Sequence, residues 1–207
     1  MTQTQPTAAD LSPDHPLAPS LQHGFAERRM TTSDGKQLYF RDYGSPYSEG
    51  SPIICLTGLA RNSRDFHQVA SALCHRHRVI CPDYIGRGHS DWSEDWERYQ
   101  PPAMLGDILA LKNALNLHEC IMIGTSLGGF LTMGLAVLAP TMVKAAIIND
   151  VGPDFGSDAL DRIIDYVGRD HPQPSWDAAM QYLKAGFPQL GFEDDKDWQD
   201  MAEGTFV

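Results

Sequence analysis

A chain of 207 residues has room for one ordinary domain around one hydrophobic core, and its 42% hydrophobic and 21% charged residues exclude collagen-like and wholly disordered chains. Sixteen Lys and Arg against 27 Asp and Glu leave a net charge of −11, which repels nucleic-acid phosphates and anionic lipid. The longest apolar stretch, residues 127–138, stops before Pro140 and falls short of the roughly 18 to 20 residues that a membrane helix requires. The expectation is a globular protein without nucleic-acid or membrane partners.

Residues 1–24 hold prolines at 6, 13, 16 and 19, no Lys or Arg, and no apolar run of signal-peptide length, so they are expected to form a disordered tail. Residues 25–30 and 37–43 read as strands, with Ser33, Asp34, Gly35 and Lys36 as the turn of a hairpin. Residues 52–56 form a short apolar run that suits a strand buried on both faces. Helical spacing follows over 64–75, with Phe66, Val69, Ala70 and Leu73 on one side. A further strand is expected at 78–82, then a glycine-rich turn region over 86–91.

Pro101 and Pro102 open a helix in which Met104, Ile108, Leu111 and Leu115 share a face. Residues 119–123 read as a strand, 127–138 as an apolar helix and 143–148 as another strand, ending in Asn149 and Asp150. Strands alternating with helices mean parallel pairing with helices on the sheet faces. After Gly152 and Pro153 the character changes: residues 157–207 carry eleven acids against four bases, and helical pieces are expected at 158–167, 176–185 and 198–206. This acidic segment reads as a helical excursion over the sheet with a solvated face.

Of the four cysteines, Cys55, Cys81 and Cys120 lie in apolar strand-like runs, which points to buried, reduced thiols in a cytoplasmic protein. Cys74, His75 and His77 sit close together but lack a second ligand pair, so no metal site is expected.

The chemistry concentrates in residues 120–130, where an apolar strand runs into Gly124-Thr125-Ser126-Leu127-Gly128 and then an apolar helix. This is the Gly-x-Ser-x-Gly arrangement in the strand, turn, helix context it needs. A serine on so sharp a turn adopts an uncommon backbone conformation, tolerated only when the residues two before and two after have no side chain. The turn lifts the Ser126 hydroxyl over the sheet edge and sets the Leu127 amide at the positive end of the helix, where it can meet a developing oxyanion. The loop Thr57-Gly58-Leu59-Ala60-Arg61-Asn62 leaves a buried strand at the same edge, and the Leu59 amide is the second candidate donor. Asn62 or Ser63 suits the helix cap that follows. Residues 83–91 leave the next strand at that edge and shape its rim, His89 included. No Gly-Lys-Ser or Gly-x-Gly-x-x-Gly pattern occurs, so nucleotide binding is not expected.

These three loops together resemble the α/β-hydrolase superfamily, over about residues 25–153. The resemblance implies an α/β fold with a mostly parallel, doubly wound sheet of eight strands and a helical lid after the sixth. It also implies hydrolysis of an ester, lactone or related carbonyl compound through a Ser, acid, His triad with no cofactor. Thr57 stands where this family often has His, which changes side-chain bonding in the loop but leaves the backbone donors available. In this family the acid usually follows the seventh strand and the His the eighth, whereas six strands are counted here. The last two strands, and the usual acid and base, are therefore expected beyond Val207, which makes the chain a shortened hydrolase with an open edge on its sixth strand.

Asp150, at the end of the sixth strand, is the candidate acid within the chain, because some relatives carry it there; a loop or capping carboxylate is the other reading. Of eight histidines only His171 follows Ser126, in a proline-flanked loop, as a candidate base or a solvated residue. The resulting division is a tail at 1–24, a core at 25–153 and an incomplete helical lid segment at 154–207. The function expected is that of a serine hydrolase acting on a small-molecule substrate, with Ser126 and Asp150 as catalytic candidates. The alternative is a ligand-binding or inert fragment on the same scaffold. Lid aromatics Trp176, Tyr182, Phe187 and Trp198 can either line a pocket or pack the lid's own core.

Overall fold

A computed structural model describes residues 24–153 and 172–206. The hairpin forms as expected: β1 (Ala26–Thr31) pairs antiparallel with β2 (Gln37–Tyr43), Ala26 opposite Asp42 and Thr31 opposite Gln37. Its turn closes through Thr32, whose N–H donates to Lys36 O at 2.8 Å and whose Oγ1 accepts from Lys36 N at 3.1 Å. Beyond the hairpin come β3 (Ile53–Leu56), β4 (Val79–Pro82), β5 (Cys120–Thr125) and β6 (Val143–Asn149). The described residues build a six-stranded sheet in the order β1-β2-β4-β3-β5-β6, parallel from β4 onward.

Period-2 alternation distributes the strand side chains between two cores. Ile54, Leu56, Ile80 and Met122 face α2 (Pro101–Ala114) and α3 (Leu127–Leu138), meeting Ile108, Leu111, Leu131 and Leu135. Their neighbours Ile53, Cys55, Val79 and Cys81 face the other way, against Phe66 and Ala70 of the segment that holds α1 (His67–Leu73). Strands β3 and β4 are buried at every position, as their uninterrupted apolar runs require. Truncating a side chain as enclosed as Ile54 to alanine costs about 2 to 5 kcal/mol. At the far edge β6 is largely open, with Ile147 57% exposed.

Two local expectations change. Residues 64–75 do not form one helix: a 3₁₀ turn, Ser63–Phe66, precedes α1, and Val69 is exposed rather than packed. The cause is the cap, since Asn62 Oδ1 accepts from Arg64 N at 3.0 Å while Asp83 Oδ1 pulls in Ser63 N at 2.6 Å. These bonds tighten the first turn and rotate the faces that follow.

In the acidic segment, α4 (Trp176–Gly186) lies where expected. The last helix, α5 (Asp195–Thr205), starts three residues earlier than expected, because Asp194 caps it by accepting from Lys196 N at 3.0 Å. Trp198 is buried with Ala179, Leu183 and Ala202 in a small core that Tyr182 and Phe187 also join, whereas Trp176 is half exposed. The tail through residue 23, the helix expected at 158–167 and His171 lie outside the described residues. No helix among the described residues is long and apolar enough to cross a membrane.

Candidate active site

Ser126 stands between β5 and α3 with φ 51° and ψ −115°, a conformation that a residue with a side chain rarely adopts. Two glycines make the bend possible. A Cβ on Gly128 would strike the main chain of Leu56, and one on Gly124 would lie 2.5 Å from Gly128 C and 2.6 Å from Gly129 N. The Ser126 N–H donates to Asn149 O at 2.9 Å, so the turn is tied to the end of β6. Ser126 itself is half-buried, outside the filled core. No side chain among the described residues hydrogen-bonds its hydroxyl.

The loop after β3 lies beside it. Leu56 is paired with Gly124, and a Cβ on Gly58 would be 3.8 Å from the Ser126 Cβ. Peptide planarity then fixes where the amides point. Gly58 O accepts from Arg61 N–H at 3.3 Å, which turns the Leu59 N–H of the same peptide away from that bond. Ser126 O accepts from Phe130 N–H at 3.0 Å along the helix, which sends the Leu127 N–H out through the helix N-terminus. Neither amide has an acceptor among the described residues.

Residues that the sequence reading did not single out hold this loop. Tyr84 OH donates to Thr57 O at 3.1 Å and Arg87 Nε donates to Leu59 O at 2.6 Å. Arg87 has no carboxylate partner among the described residues, and its burial pulls the guanidinium pKa below the ordinary value. The buried Asp83 bridges two loops, its carboxylate accepting from Ser63 N at 2.6 Å and His89 N at 2.9 Å. Arg61 binds Asp65 through Nε at 2.7 Å and reaches α5 through Met201 O at 2.9 Å and Thr205 Oγ1. A hint of Arg87 was present in the sequence, as a lone cation between Gly86 and Gly88. Its acceptor, 28 residues away, was not visible there.

Asp150 follows the residue that binds Ser126, has a positive φ of 58° and is exposed. None of the described histidines bonds to Ser126: His67 Nδ1 lies 3.1 Å from Tyr43 OH, His77 Nδ1 2.8 Å from Ser51 O, and His89 packs its ring on Tyr39. Burial, with Arg41 and Arg64 nearby, holds the His67 pKa below its usual value. A cleft of about 920 Å³ has Arg41, Arg61, His67 and Met201 in its lining, and none of Ser126, Leu59, Leu127 and Asp150 lines it.

A serine on a strained turn at the carboxyl edge of a parallel sheet, two glycines packed behind it and an open-amide loop beside it form a recurrent arrangement. The sequence model of the family described as alpha/beta hydrolase fold matches residues 51–192, more than half of the chain. The chain belongs to the α/β-hydrolase fold family.

Among its relatives is the 3-hydroxybutyrate-oligomer hydrolase of Cupriavidus necator, 34% identical over 165 residues, which cover 80% of this chain and 56% of that protein. The cis-3-alkyl-4-alkyloxetan-2-one decarboxylase of Shewanella oneidensis is 30% identical over 128 residues, 61% of this chain and 39% of the relative. Among solved structures, an α/β hydrolase from Novosphingobium aromaticivorans superposes with a TM-score of 0.82 at 39% identity, covering 89% of this chain and 65% of that one. The chain thus spans about half the length of these curated relatives.

Proposed function

We propose that the protein is a serine hydrolase acting on a small ester, lactone or similar carbonyl compound, with Ser126 as nucleophile and the Leu59 and Leu127 amides as the oxyanion donors. The observation that carries this reading is the backbone of Ser126, held at φ 51° and ψ −115° beside two amides without acceptors among the described residues. Strain of this kind costs about 1 to 3 kcal/mol and persists where it serves a site.

In this reading Ser126 Oγ attacks the carbonyl carbon as a base takes its proton. The oxygen, now negative, lies between the two amides, and collapse expels the alcohol and leaves an acyl-serine for water to cleave. Asp150 is the candidate acid that orients the base. No described histidine bonds to Ser126, so the base is sought outside the described residues, His171 included. The helical segment after β6 serves as the lid.

Hydrolysis of 3-hydroxybutyrate dimers and trimers is the first activity to assay, since the relative sharing 34% identity over 80% of this chain is named for such oligomers. A p-nitrophenyl ester serves alongside as a general probe. Turnover lost in Ser126→Ala supports the proposal. A second reading, ligand binding without turnover, is favoured by a Ser126 hydroxyl that no side chain among the described residues engages; saturable binding of the oligomer without hydrolysis supports it instead.

A further inference from the structure

We infer that Arg87 is a positioning residue that aims the Leu59 amide at the reaction centre, an inference that rests on the serine-hydrolase reading. Three consecutive carbonyls of the loop after β3 are each fixed by one donor. Thr57 O accepts from Tyr84 OH at 3.1 Å, Gly58 O from Arg61 N–H at 3.3 Å, and Leu59 O from Arg87 Nε at 2.6 Å. A peptide whose carbonyl is held on one side has its N–H directed to the other. The bond to Gly58 O fixes the peptide that carries the Leu59 N–H, and the bonds to Thr57 O and Leu59 O fix the peptides before and after it, so Arg87 steadies the Leu59 amide by holding the plane that follows it.

Of the three donors, Arg61 N–H is local to the loop, whereas Tyr84 and Arg87 come from the loop after β4. Arg87 makes the shortest bond, and its own guanidinium is steadied by Nη1 donating to Gly86 O at 2.8 Å. A guanidinium drawn partly out of water is normally matched with a carboxylate. Among the described residues this half-buried one binds two main-chain carbonyls instead, an arrangement that brings the cation to the loop without drawing in an anion that would compete for the amides. Its planar fork suits the task better than an ammonium, which is a point charge on a flexible stem. Because Arg87 touches Leu59 O and not the substrate, it acts through the loop.

The test measures inactivation of the full chain by a fluorophosphonate, resolved into the maximal rate kinact and the half-saturating concentration KI. Arg87→Ala is expected to lower kinact roughly 10- to 100-fold with KI unchanged, less than the 10²- to 10³-fold that follows outright loss of an oxyanion donor. Guanidinium ion added below denaturing concentration is expected to restore much of the rate, and ammonium ion to restore little. Arg87→Lys keeps the stem and the charge, and provides a folded variant with the same expected fall should Arg87→Ala unfold. An unchanged kinact in either folded variant, or a loss that guanidinium does not reverse, overturns the inference while leaving the hydrolase reading intact. A wild-type chain that takes no label at Ser126 overturns the hydrolase reading and this inference with it.

Discussion

The Ser126 N–H donates to the carbonyl of Asn149 at 2.9 Å, so the strained turn is held by the main chain at the end of β6, one residue before Asp150. The candidate nucleophile and the candidate acid therefore share one rigid connection. Asp150→Asn is expected to keep the fold, since asparagine tolerates a positive φ, and to lower ester turnover by up to about 10⁴-fold, as loss of a triad carboxylate does. Steady-state kinetics with circular dichroism checks this, and unaltered turnover removes Asp150 from the triad.

Gly128, packed behind the turn, and Gly106, exposed on α2, carry opposite expectations. In Gly128→Ala the new methyl meets the main chain of Leu56, which cannot retreat from a central strand, and a loss of about 3 kcal/mol is expected. Gly106, inside α2, has nothing within 4 Å of the corresponding position, and Gly106→Ala is expected to add about 0.5 to 1 kcal/mol. Urea unfolding of the two variants measures both signs.

Arg98 ties the hairpin turn to α2, with Nε donating to Asp34 at 2.8 Å and both Nη atoms to Asp107 at 2.8 Å. These bonds, with that from Thr32, hold the Asp34 carboxyl down at about 2, whereas burial pushes Asp107 above its ordinary value. The lowered Asp34 value contributes stability that is present above pH ~4 and lost as pH falls toward 2. The raised Asp107 value acts oppositely, favouring the folded state as that acid is protonated. Carboxyl NMR titration is expected to find the two midpoints on opposite sides of 3.8, and Arg98→Gln to move that of Asp34 upward.

Thiol reactivity follows burial. Cys55, Cys81 and Cys120 are enclosed, while Cys74 is half-buried near the end of α1. Burial pushes the Cys120 thiol up to about 11 and raises Cys81 and Cys74 as well. Titration with a chromogenic disulfide is expected to find Cys74 reacting first in the native protein and all four thiols in denaturant. Equal native rates contradict this burial pattern.

The strands and the turn at Ser126 were legible in the sequence because they depend on short-range patterns: uninterrupted apolar runs for β3 and β4, and glycines two residues either side of the serine. Helix boundaries were read less well where a cap decided them. Asn62 and Asp83 together tighten the start of the α1 region and expose Val69, and the second of these lies 20 residues from its partner Ser63. At α5 the signal was present and local, an Asp194 cap with Asp195 and Asp197 in the first turn, but the apolar pattern beginning at Trp198 outweighed it. The loop fastening by Tyr84 and Arg87 is not legible beyond the lone cation between Gly86 and Gly88, since both residues bind main-chain carbonyls, which no sequence pattern marks.

Intact-protein and peptide mass spectrometry after treatment with a fluorophosphonate tests directly whether Ser126 is a nucleophile. A live nucleophile at this turn takes up one phosphonyl group per chain, located on Ser126 and missing from Ser126→Ala. A wild-type chain that takes no label, or an equal label on Ser126→Ala, contradicts it.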